Sequence, residues 1–265
     1  MMTTPTPILL ARDGAVARVT LARPQLRNAF DAATIAALHA AFVGFAADTT
    51  LRAVVLDAQG PAFCAGADLN YMREMASWDD AANRDDSMRL ARMLRAIAEC
   101  PQPVIARVHG DTFAGGVGLV AACDFAVGLA GARFCLSEVK LGLVPATIMP
   151  HVLRAIGARA AQRYTLGAEV FDAATAARIG LLHEVAADTA ALDAQVQQWL
   201  DALHAASPQA LAAAKRLLAD AAHRHLSEAL LADTAARIAE ARASRDGREG
   251  IDAFLNRRKP AWNPN

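Results

Sequence analysis

Residues 103–130 place a buried strand, a glycine-rich turn, a helix and a second buried strand in immediate succession. PVIARVHG (103–110) and DFAVGLA (124–130) are apolar runs of strand length, and FAGGVGLVAA between them has the composition of a buried helix. Two adjacent glycines open that helix, although each costs about 1 kcal/mol relative to alanine inside one. Parallel strands need a crossover connection of this kind. The segment therefore predicts a layered α/β fold with a largely parallel core.

Other periodic segments extend this prediction over the rest of the chain. ILLARDGAVARVTLAR (8–23) is a hairpin pattern around Asp13 and Gly14, 31–48 is a helix behind a capping Asp31, and 51–60 is a strand. Residues 78–100 read as a loop leading into a helix, and from Asp172 onward the pattern is almost entirely helical. Helix starts are expected at Asp172, Asp188, Ser207–Pro208, Ser227 and Asp246. We expect a core over 1–200 that carries the functional site, followed by a helical region over 201–265.

Composition narrows the range of partners. The 265 residues are 54% hydrophobic, which allows a large core, and 27 Lys+Arg balance 27 Asp+Glu. A net charge of zero argues against nucleic acid or an anionic membrane as the main partner. The four cysteines form no CxxC or Cys/His cluster, which predicts free thiols in a reducing compartment and no metal site. With no signal-peptide pattern and no apolar run of about 18 residues, we expect a cytoplasmic protein without a membrane span.

The glycines gain a chemical meaning from their place after a strand and before a helix. Backbone N–H groups in the first turn of a helix have no intrahelical acceptor, and the helix dipole adds partial positive charge there. Glycine lets a ligand approach such a backbone closely. GPAFCAGADLNYM (60–72) repeats the pattern, with Gly66 at a turn after a strand. Two such corners can hold one carbonyl oxygen between two N–H groups; for one glycine segment alone, tight helix–strand packing is the competing explanation.

The motifs together resemble the crotonase, or enoyl-CoA hydratase/isomerase, superfamily. The matching pieces stand in the family's order: RPQLRNAF (23–30), AFCAGADL (62–69), HGDTFAGGVGLVAACD (109–124), ARFCLSEVKLGLVPA (132–146), ARIGLLHEV (177–185) and AFLNRRKP (253–260). The resemblance implies a spiral of ββα turns followed by a helical oligomerisation region, assembled as a trimer or a dimer of trimers. It also implies that the N–H groups of Ala67 and Gly115 hold the oxygen of an acyl-CoA thioester. No separate cofactor is implied, because coenzyme A enters as part of the substrate.

The same resemblance identifies residues that would contact the substrate or its coenzyme A. These are Arg27, Ala65, Ala67, Asp68, Leu69, Asn70 and Gly115, with Phe254 and Arg257 reaching the coenzyme A of a neighbouring subunit. Arg23 is a second candidate for a coenzyme A phosphate, since arginine makes charge-assisted contacts to phosphate. Asp68 is expected to cap the helix that begins at Leu69. Candidate cations for a substrate carboxylate are Arg73, Lys140 and Arg154.

One catalytic position departs from the family pattern. Similar hydratases often carry two glutamates, and here the first falls on Gly118 while the second is Glu138. A carboxyl in a water-poor site can have its pKa raised toward the range useful for proton transfer. Glu138 is therefore the expected general base and acid, the alternative being a surface cap or ion-pair residue. We further expect Gly118 to leave room for a substituent at C3 of the acyl chain.

Several reactions stay open at this point. With one glutamate the chain can be a hydratase, which the resemblance favours, or a Δ3,Δ2-enoyl-CoA isomerase that moves a proton between C2 and C4. GGVGLVAACD, FCLSEVKLGLVPATI and DLNYMREMA look most like bacterial 3-methylglutaconyl-CoA and γ-carboxygeranoyl-CoA hydratases of leucine and terpenoid breakdown. A third possibility, from another class, is a catalytically inactive protein of this fold that binds acyl-CoA or RNA.

Overall fold

The computed structural model describes residues 6–222 and 224–263. Its strands are β1 (Ile8–Asp13), β2 (Val16–Leu21), β3 (Ala53–Ala58), β4 (Ala62–Cys64), β5 (Val104–Val108), β6 (Asp111–Phe113), β7 (Phe125–Leu129), β8 (Arg133–Cys135), β9 (Phe171–Asp172) and β10 (Glu184–Ala186). Its helices are α1 (Ala32–Ala47), α2 (Leu69–Met75), α3 (Asp80–Ala98), α4 (Gly115–Ala121), α5 (Met149–Gly167), α6 (Ala173–Arg178), α7 (Thr189–Ala205), α8 (Pro208–Ala221), α9 (Glu228–Ala243) and α10 (Arg245–Leu255).

The strands form two sheets that the chain visits alternately. The larger sheet has the order β1-β2-β3-β5-β7-β10 and is parallel except for the β1–β2 hairpin. The smaller has the order β4-β6-β8-β9, with β9 antiparallel to β8. Each of the pairs β3/β4, β5/β6 and β7/β8 adds one strand to each sheet before the chain turns back through a helix. This is the expected spiral of ββα turns.

The predicted helix starts hold because short polar side chains cap them. Asp31, Asp172 and Asp188 accept from the backbone N–H three residues on, and Ser207 and Ser227 do the same. α10 is the exception: it begins at Arg245 behind a Ser244 cap rather than at Asp246. The Asp246 carboxylate instead accepts a 2.6 Å hydrogen bond from the Ser207 hydroxyl. The prediction at this helix was therefore wrong by about half a turn.

The apolar residues fall on both faces of the larger sheet. β3 is buried along nearly its whole length, as a central parallel strand covered on both faces should be. One face packs against α1, α3 and the smaller sheet. On the other face, Val55, Ile105 and Val127 pack against α7. This double burial fixes the register of the larger sheet, and the strands whose ends carry the site, β4, β6 and β8, each follow one of its strands directly in the chain.

The carboxyl-terminal third departs from the sequence expectation in one element and is tied to the core by ion pairs. β10 is a three-residue strand at the edge of the larger sheet, inside a stretch predicted to be helical. α7 runs across residue 200, where the core was expected to end, and packs on the sheet. Lys215 of α8 meets Asp124 at 2.6 Å. The division at residue 200 stays a prediction.

Among the helices of 6–222 and 224–263, none combines the length and the apolar character needed to cross a bilayer.

Candidate active site

Three neighbouring parallel strands end at one edge of the smaller sheet. β4 pairs with β6 and β6 with β8, all parallel, so their carboxyl ends meet there. The residues just beyond these ends are 65–68, 114–115 and 137–138. Ligands of open α/β sheets bind outside the carboxyl ends of strands. The two expected glycine corners and the expected glutamate therefore share one edge.

The first corner is held open by Phe30. The Phe30 N–H donates to the Gly66 carbonyl at 2.8 Å, and the Phe30 carbonyl accepts from the Asp68 N–H at 3.0 Å. The Gly66 carbonyl and the Ala67 N–H belong to one trans peptide group and point in opposite directions, so the Ala67 N–H points away from Phe30. Gly66 has φ +90°, which a side chain would resist. The corner thus presents one N–H that this pairing leaves free.

The second corner is the start of α4. Gly115 is its first residue, so its N–H has no intrahelical acceptor. Ala114 before it has φ +49°, an uncommon conformation for a residue with a side chain, and its N–H donates to the Cys135 carbonyl at 2.8 Å. A Cβ added to Gly66 would stand 3.6 Å from the Gly115 nitrogen and 2.9 Å from the Ala114 Cβ. The two corners are in contact, although their joint binding of an oxygen stays a prediction.

Glu138 lies just beyond the end of the third strand, β8, and one oxygen of its carboxylate accepts no hydrogen bond from the described residues. It opens a short 3-10 turn, Glu138–Leu141, directly after β8. Its Oε2 atom is buried and has no hydrogen-bond partner among the described residues. Burial raises the pKa of the Glu138 carboxyl above its ordinary value of 4.5. These properties suit proton transfer, and the role of Glu138 as general base and acid stays a prediction.

The expectation about Gly118 is wrong. A Cβ added at Gly118 would stand 2.6 Å from the Cβ of Ile148, and closer still to its Cγ2. Ile148 is 2% exposed. The volume that a glutamate at 118 would need is therefore filled by hydrocarbon and offers no room for a substrate branch. The sequence showed the small residue but not the neighbour, thirty positions on, that fills the space.

Arg23 has a structural role rather than a free guanidinium. Its Nη1 donates to the Ala29 carbonyl at 2.7 Å and lies 3.1 Å from Asp31, and its Nη2 meets Asp68 at 2.9 Å. The Arg23 side chain is only 16% exposed. Arg23 therefore links Asp31 and Asp68, the capping residues of α1 and α2, on either side of the first corner. These contacts do not support the suggestion that Arg23 binds a coenzyme A phosphate.

Asp68 caps α2 as expected. Its Oδ1 accepts from the Asn70 N–H at 2.8 Å and the Tyr71 N–H at 3.3 Å. Its Oδ2 takes the Arg23 contact. Because both oxygens are engaged inside the protein, Asp68 positions the corner, and direct contact with a ligand stays a prediction.

Asn28 is a positioning residue that sequence reasoning missed. It is 2% exposed, and its amide nitrogen donates to the carbonyls of Gln59 at 2.7 Å and Ala62 at 2.8 Å. Its amide oxygen accepts from the Arg23 N–H at 2.9 Å. The available signal was an asparagine directly before the apolar Ala29 and Phe30 in RPQLRNAF, since a polar side chain that is buried is normally fully bonded.

The expected coenzyme A residues lie around the first corner and on α10. The Arg27 carbonyl accepts from the Ala65 N–H at 3.0 Å, so the exposed Arg27 stands beside the 65–68 segment. Leu69 is 70% exposed and Asn70 is exposed next to it. The second group lies at the far end of the chain: Phe254 on α10 is 82% exposed, and Arg257 follows it. The geometry leaves these side chains accessible, and their contacts with a substrate stay predictions.

The three candidate cations are not gathered at the corners. The Lys140 ammonium donates to the Ala168 carbonyl at 2.7 Å, at the end of α5. The Arg73 guanidinium bonds to the Asn70 side chain. Arg154 lines a cleft with Asp124, beyond the carboxyl end of α4 and hence opposite Gly115. These positions give no reason to assign any of the three side chains to the binding of a substrate carboxylate. No group of three His, Cys, Asp or Glu side chains able to hold a metal occurs within 6–222 and 224–263.

Together the spiral of ββα turns and the shared strand edge define a protein of the crotonase fold. A crystal structure of an enoyl-CoA hydratase from Shewanella pealeana superimposes with a TM-score of 0.94 at 40% identity, covering 97% of this chain and 96% of that one. A putative enoyl-CoA hydratase/isomerase (crotonase) from Legionella pneumophila gives a TM-score of 0.90 at 38% identity, covering 98% and 100%.

Sequence comparison leads to the same family. The family model described as enoyl-CoA hydratase/isomerase matches residues 11–265. The chain belongs to the enoyl-CoA hydratase/isomerase family. An enoyl-CoA hydratase of Alternaria alternata, ACTT6, is 38% identical over 200 residues, which are 76% of this chain and 65% of that protein. The match thus spans slightly under two thirds of the fungal relative's length.

Proposed function

We propose that the protein is an enoyl-CoA hydratase, a lyase that adds water across the 2,3-double bond of an enoyl-CoA thioester. The observation that carries this proposal is the shared strand edge, where two contacting backbone corners lie at the ends of β4 and β6, and half-buried Glu138, with its buried, unpartnered Oε2 atom, follows the neighbouring β8. Relatives described as enoyl-CoA hydratases support it. Coenzyme A is part of the substrate, and the proposed reaction needs no further cofactor.

The mechanism divides the work between backbone and carboxylate. The Ala67 and Gly115 N–H groups donate hydrogen bonds to the thioester oxygen, and this polarisation withdraws electrons from C3. The Glu138 carboxylate takes a proton from a water molecule while the oxygen of that water bonds to C3. The electron pair displaced from the C2–C3 double bond forms an enolate on the thioester oxygen. Glu138 then returns a proton to C2. One oxyanion donor is typically worth about 10²–10³ in turnover, and the raised pKa of Glu138 suits both proton transfers.

The test is turnover of crotonyl-CoA, followed by loss of the absorbance of the conjugated enoyl thioester. Wild type should remove the absorbance, while Glu138→Gln, which keeps shape and loses the titrating group, should not. Equal turnover by the two proteins would contradict the assignment of Glu138. No turnover by wild type on any 2-enoyl-CoA would end the hydratase proposal.

A Δ3,Δ2-enoyl-CoA isomerase is the second candidate, and the Gly118–Ile148 contact favours it. With hydrocarbon where a second carboxylate would stand, Glu138 alone would move a proton from C2 to C4 or back, without water. The same assay distinguishes the two reactions, because an isomerase would raise the conjugated absorbance of a 3-enoyl-CoA solution whereas a hydratase would lower that of a 2-enoyl-CoA solution.

A more specific proposal concerns which acyl group the substrate carries. A branched substrate such as 3-methylglutaconyl-CoA, and with it a place in leucine degradation, is supported by the likeness of three motifs to hydratases of that branch. Room beside Gly118 does not support it, because Ile148 fills that room. Turnover of this thioester beside crotonyl-CoA decides between branched and straight acyl chains.

The protein is proposed to act as a cytoplasmic homo-oligomer, either a trimer or a dimer of trimers. On α10, Ile251, Phe254 and Leu255 are 52%, 82% and 72% exposed. An apolar edge of this size on one helix is typical of a contact surface. Sedimentation equilibrium gives the mass directly, and a species at the 27.9 kDa of one chain would contradict the proposal.

An inactive protein of the same fold, binding acyl-CoA or RNA, is the alternative from another class. Its signature would be binding of a coenzyme A thioester or an RNA with no turnover of any enoyl-CoA. The neutral net charge argues against RNA, and the buried, unpartnered Oε2 atom of Glu138 argues against lost activity.

A further inference from the structure

Ile148 stands where a side chain at residue 118 would have to go. It is 2% exposed, and its Cβ lies 2.6 Å from the position of a Cβ added to Gly118. Being β-branched, isoleucine has few χ1 choices, and its burial removes the option of swinging into solvent. The space beside Gly118 is thus closed by a rigid hydrocarbon group.

This contact joins the helix of the second corner to the segment that carries Glu138. Gly118 lies three residues after Gly115, on the same side of α4. The segment 138–148 begins at Glu138 and ends at Ile148. At its start, the Glu138 carbonyl accepts a hydrogen bond from the Leu143 N–H at 3.1 Å. α5, which begins directly after Ile148, packs against both α4 and the 3-10 turn of Glu138. Ile148 therefore lies against the proposed oxyanion helix and directly before the helix that packs on the turn of the proposed base.

We propose that Ile148 is a specificity-determining residue for the acyl group. This inference rests on the proposed function. Ile148 forms the apolar wall that C3 of the bound acyl chain approaches, and this wall disfavours acyl chains with a substituent at C3. The wall follows from the contact of Ile148 with α4, the helix whose first N–H would hold the thioester oxygen, and from its place directly before α5, which packs on the turn of Glu138. One methylene in an apolar pocket changes discrimination by about 10–200-fold.

The experiment measures binding of two unreactive thioesters by isothermal titration calorimetry. Butanoyl-CoA and 3-methylbutanoyl-CoA differ by one methyl group at C3, and neither can be hydrated. Wild type should prefer butanoyl-CoA, and Ile148→Ala should shift the ratio of the two Kd values at least about tenfold toward the branched ligand. The matched control is Ile156→Ala, the same change at a buried isoleucine eight residues on, roughly 12 Å along α5. It should leave the ratio as in wild type.

Each outcome decides the proposal. An unchanged ratio in folded Ile148→Ala, or the same shift in the Ile156→Ala control, overturns it. If Ile148→Ala does not fold, Ile148→Val removes a single methylene, and an unchanged ratio there overturns the proposal as well. Failure of wild type to bind either thioester also overturns it. A shifted ratio in a protein without turnover would end the hydratase proposal alone and leave the role of Ile148 intact.

Discussion

Phe30 occupies the space that any side chain on Gly115 would need, with its Cε1 3.0 Å from the position of an added Cβ and its Cζ closer still. The backbone of the same residue holds the other corner, through the hydrogen bonds to Gly66 and Asp68. One buried aromatic residue thereby sets the position of both proposed donors. The two glycine motifs, fifty residues apart in sequence, are coupled through it.

The first prediction is that Gly115→Ala lowers both activity and stability. Its new methyl group must displace the Phe30 ring, and such overpacking typically costs about 1–3 kcal/mol. A displaced donor should also lower kcat/KM by about 10²–10³. Thermal unfolding and crotonyl-CoA turnover measure the two effects.

Gly44→Ala in α1 is the control, because nothing lies within 4 Å of its added Cβ. It should stabilise by up to about 1 kcal/mol and leave turnover unchanged. Gly115→Pro removes the N–H itself and should abolish turnover. Near-normal turnover in both Gly115 variants would show that this N–H is not a donor to the substrate.

The second prediction concerns Glu138→Gln and pH. Because burial raises the pKa of this carboxyl, the folded protein holds its proton more tightly than the unfolded chain does. Its contribution to stability is therefore fully present below the ordinary value of 4.5 and is lost as pH rises through the folded pKa. At neutral pH the partly buried charge of Glu138 lowers the stability of the folded protein, and glutamine avoids this cost.

We therefore expect Glu138→Gln to gain stability relative to wild type as pH rises from 4 toward 7, while its turnover falls about 10²–10⁴-fold. Urea unfolding of both proteins across this range tests the first part. A stability difference that does not vary with pH would mean that the pKa of Glu138 is not raised. Wild-type kcat/KM should fall on the acid side as the base becomes protonated, with an apparent pKa above 4.5.

The third prediction is energetic coupling between Gly118 and Ile148. Gly118→Ala alone adds a methyl group against Ile148, an overpacking cost of about 1–3 kcal/mol, offset in part by the roughly 1 kcal/mol gained from replacing a helical glycine. Ile148→Ala alone opens a cavity at about 2–5 kcal/mol. In the double variant the new methyl fits the vacated space, so the double variant should be more stable than the sum of the two single changes predicts, by about 1–2 kcal/mol. Strict additivity in the free energies of unfolding would show that the two residues do not touch.

The sequence predicted the parts of the fold that depend on local pattern. The Asp13–Gly14 hairpin, the caps at Asp31 and Asp188, and the start of α4 at Gly115 are confirmed because periodicity and capping chemistry are properties of neighbouring residues. β10 was missed because three residues are too few to show a pattern against helical surroundings.

Only those parts of the site that lie in local sequence motifs could be predicted from the sequence. The two glycine corners and Glu138 could be located from their motifs, and the structure brings them to one strand edge. What sequence could not supply was the identity of neighbours distant in the chain. Ile148 against Gly118 and Phe30 against Gly115 are tertiary contacts that no local pattern encodes.

The last prediction separates positioning from catalysis at the first corner. Arg23→Met should destabilise by roughly 3 kcal/mol or more, because it leaves the buried Asp68 carboxylate without its charged partner. Asp68→Asn removes the same ion pair and can keep the cap, since its amide oxygen can still accept from the Asn70 N–H, so it should cost less. Both variants should lower turnover through a loosened Ala67 corner and leave the acid limb of the pH profile in place, because Glu138 is untouched. Thermal unfolding and kcat/KM as a function of pH test this, and a displaced acid limb in either variant would contradict a purely positioning role.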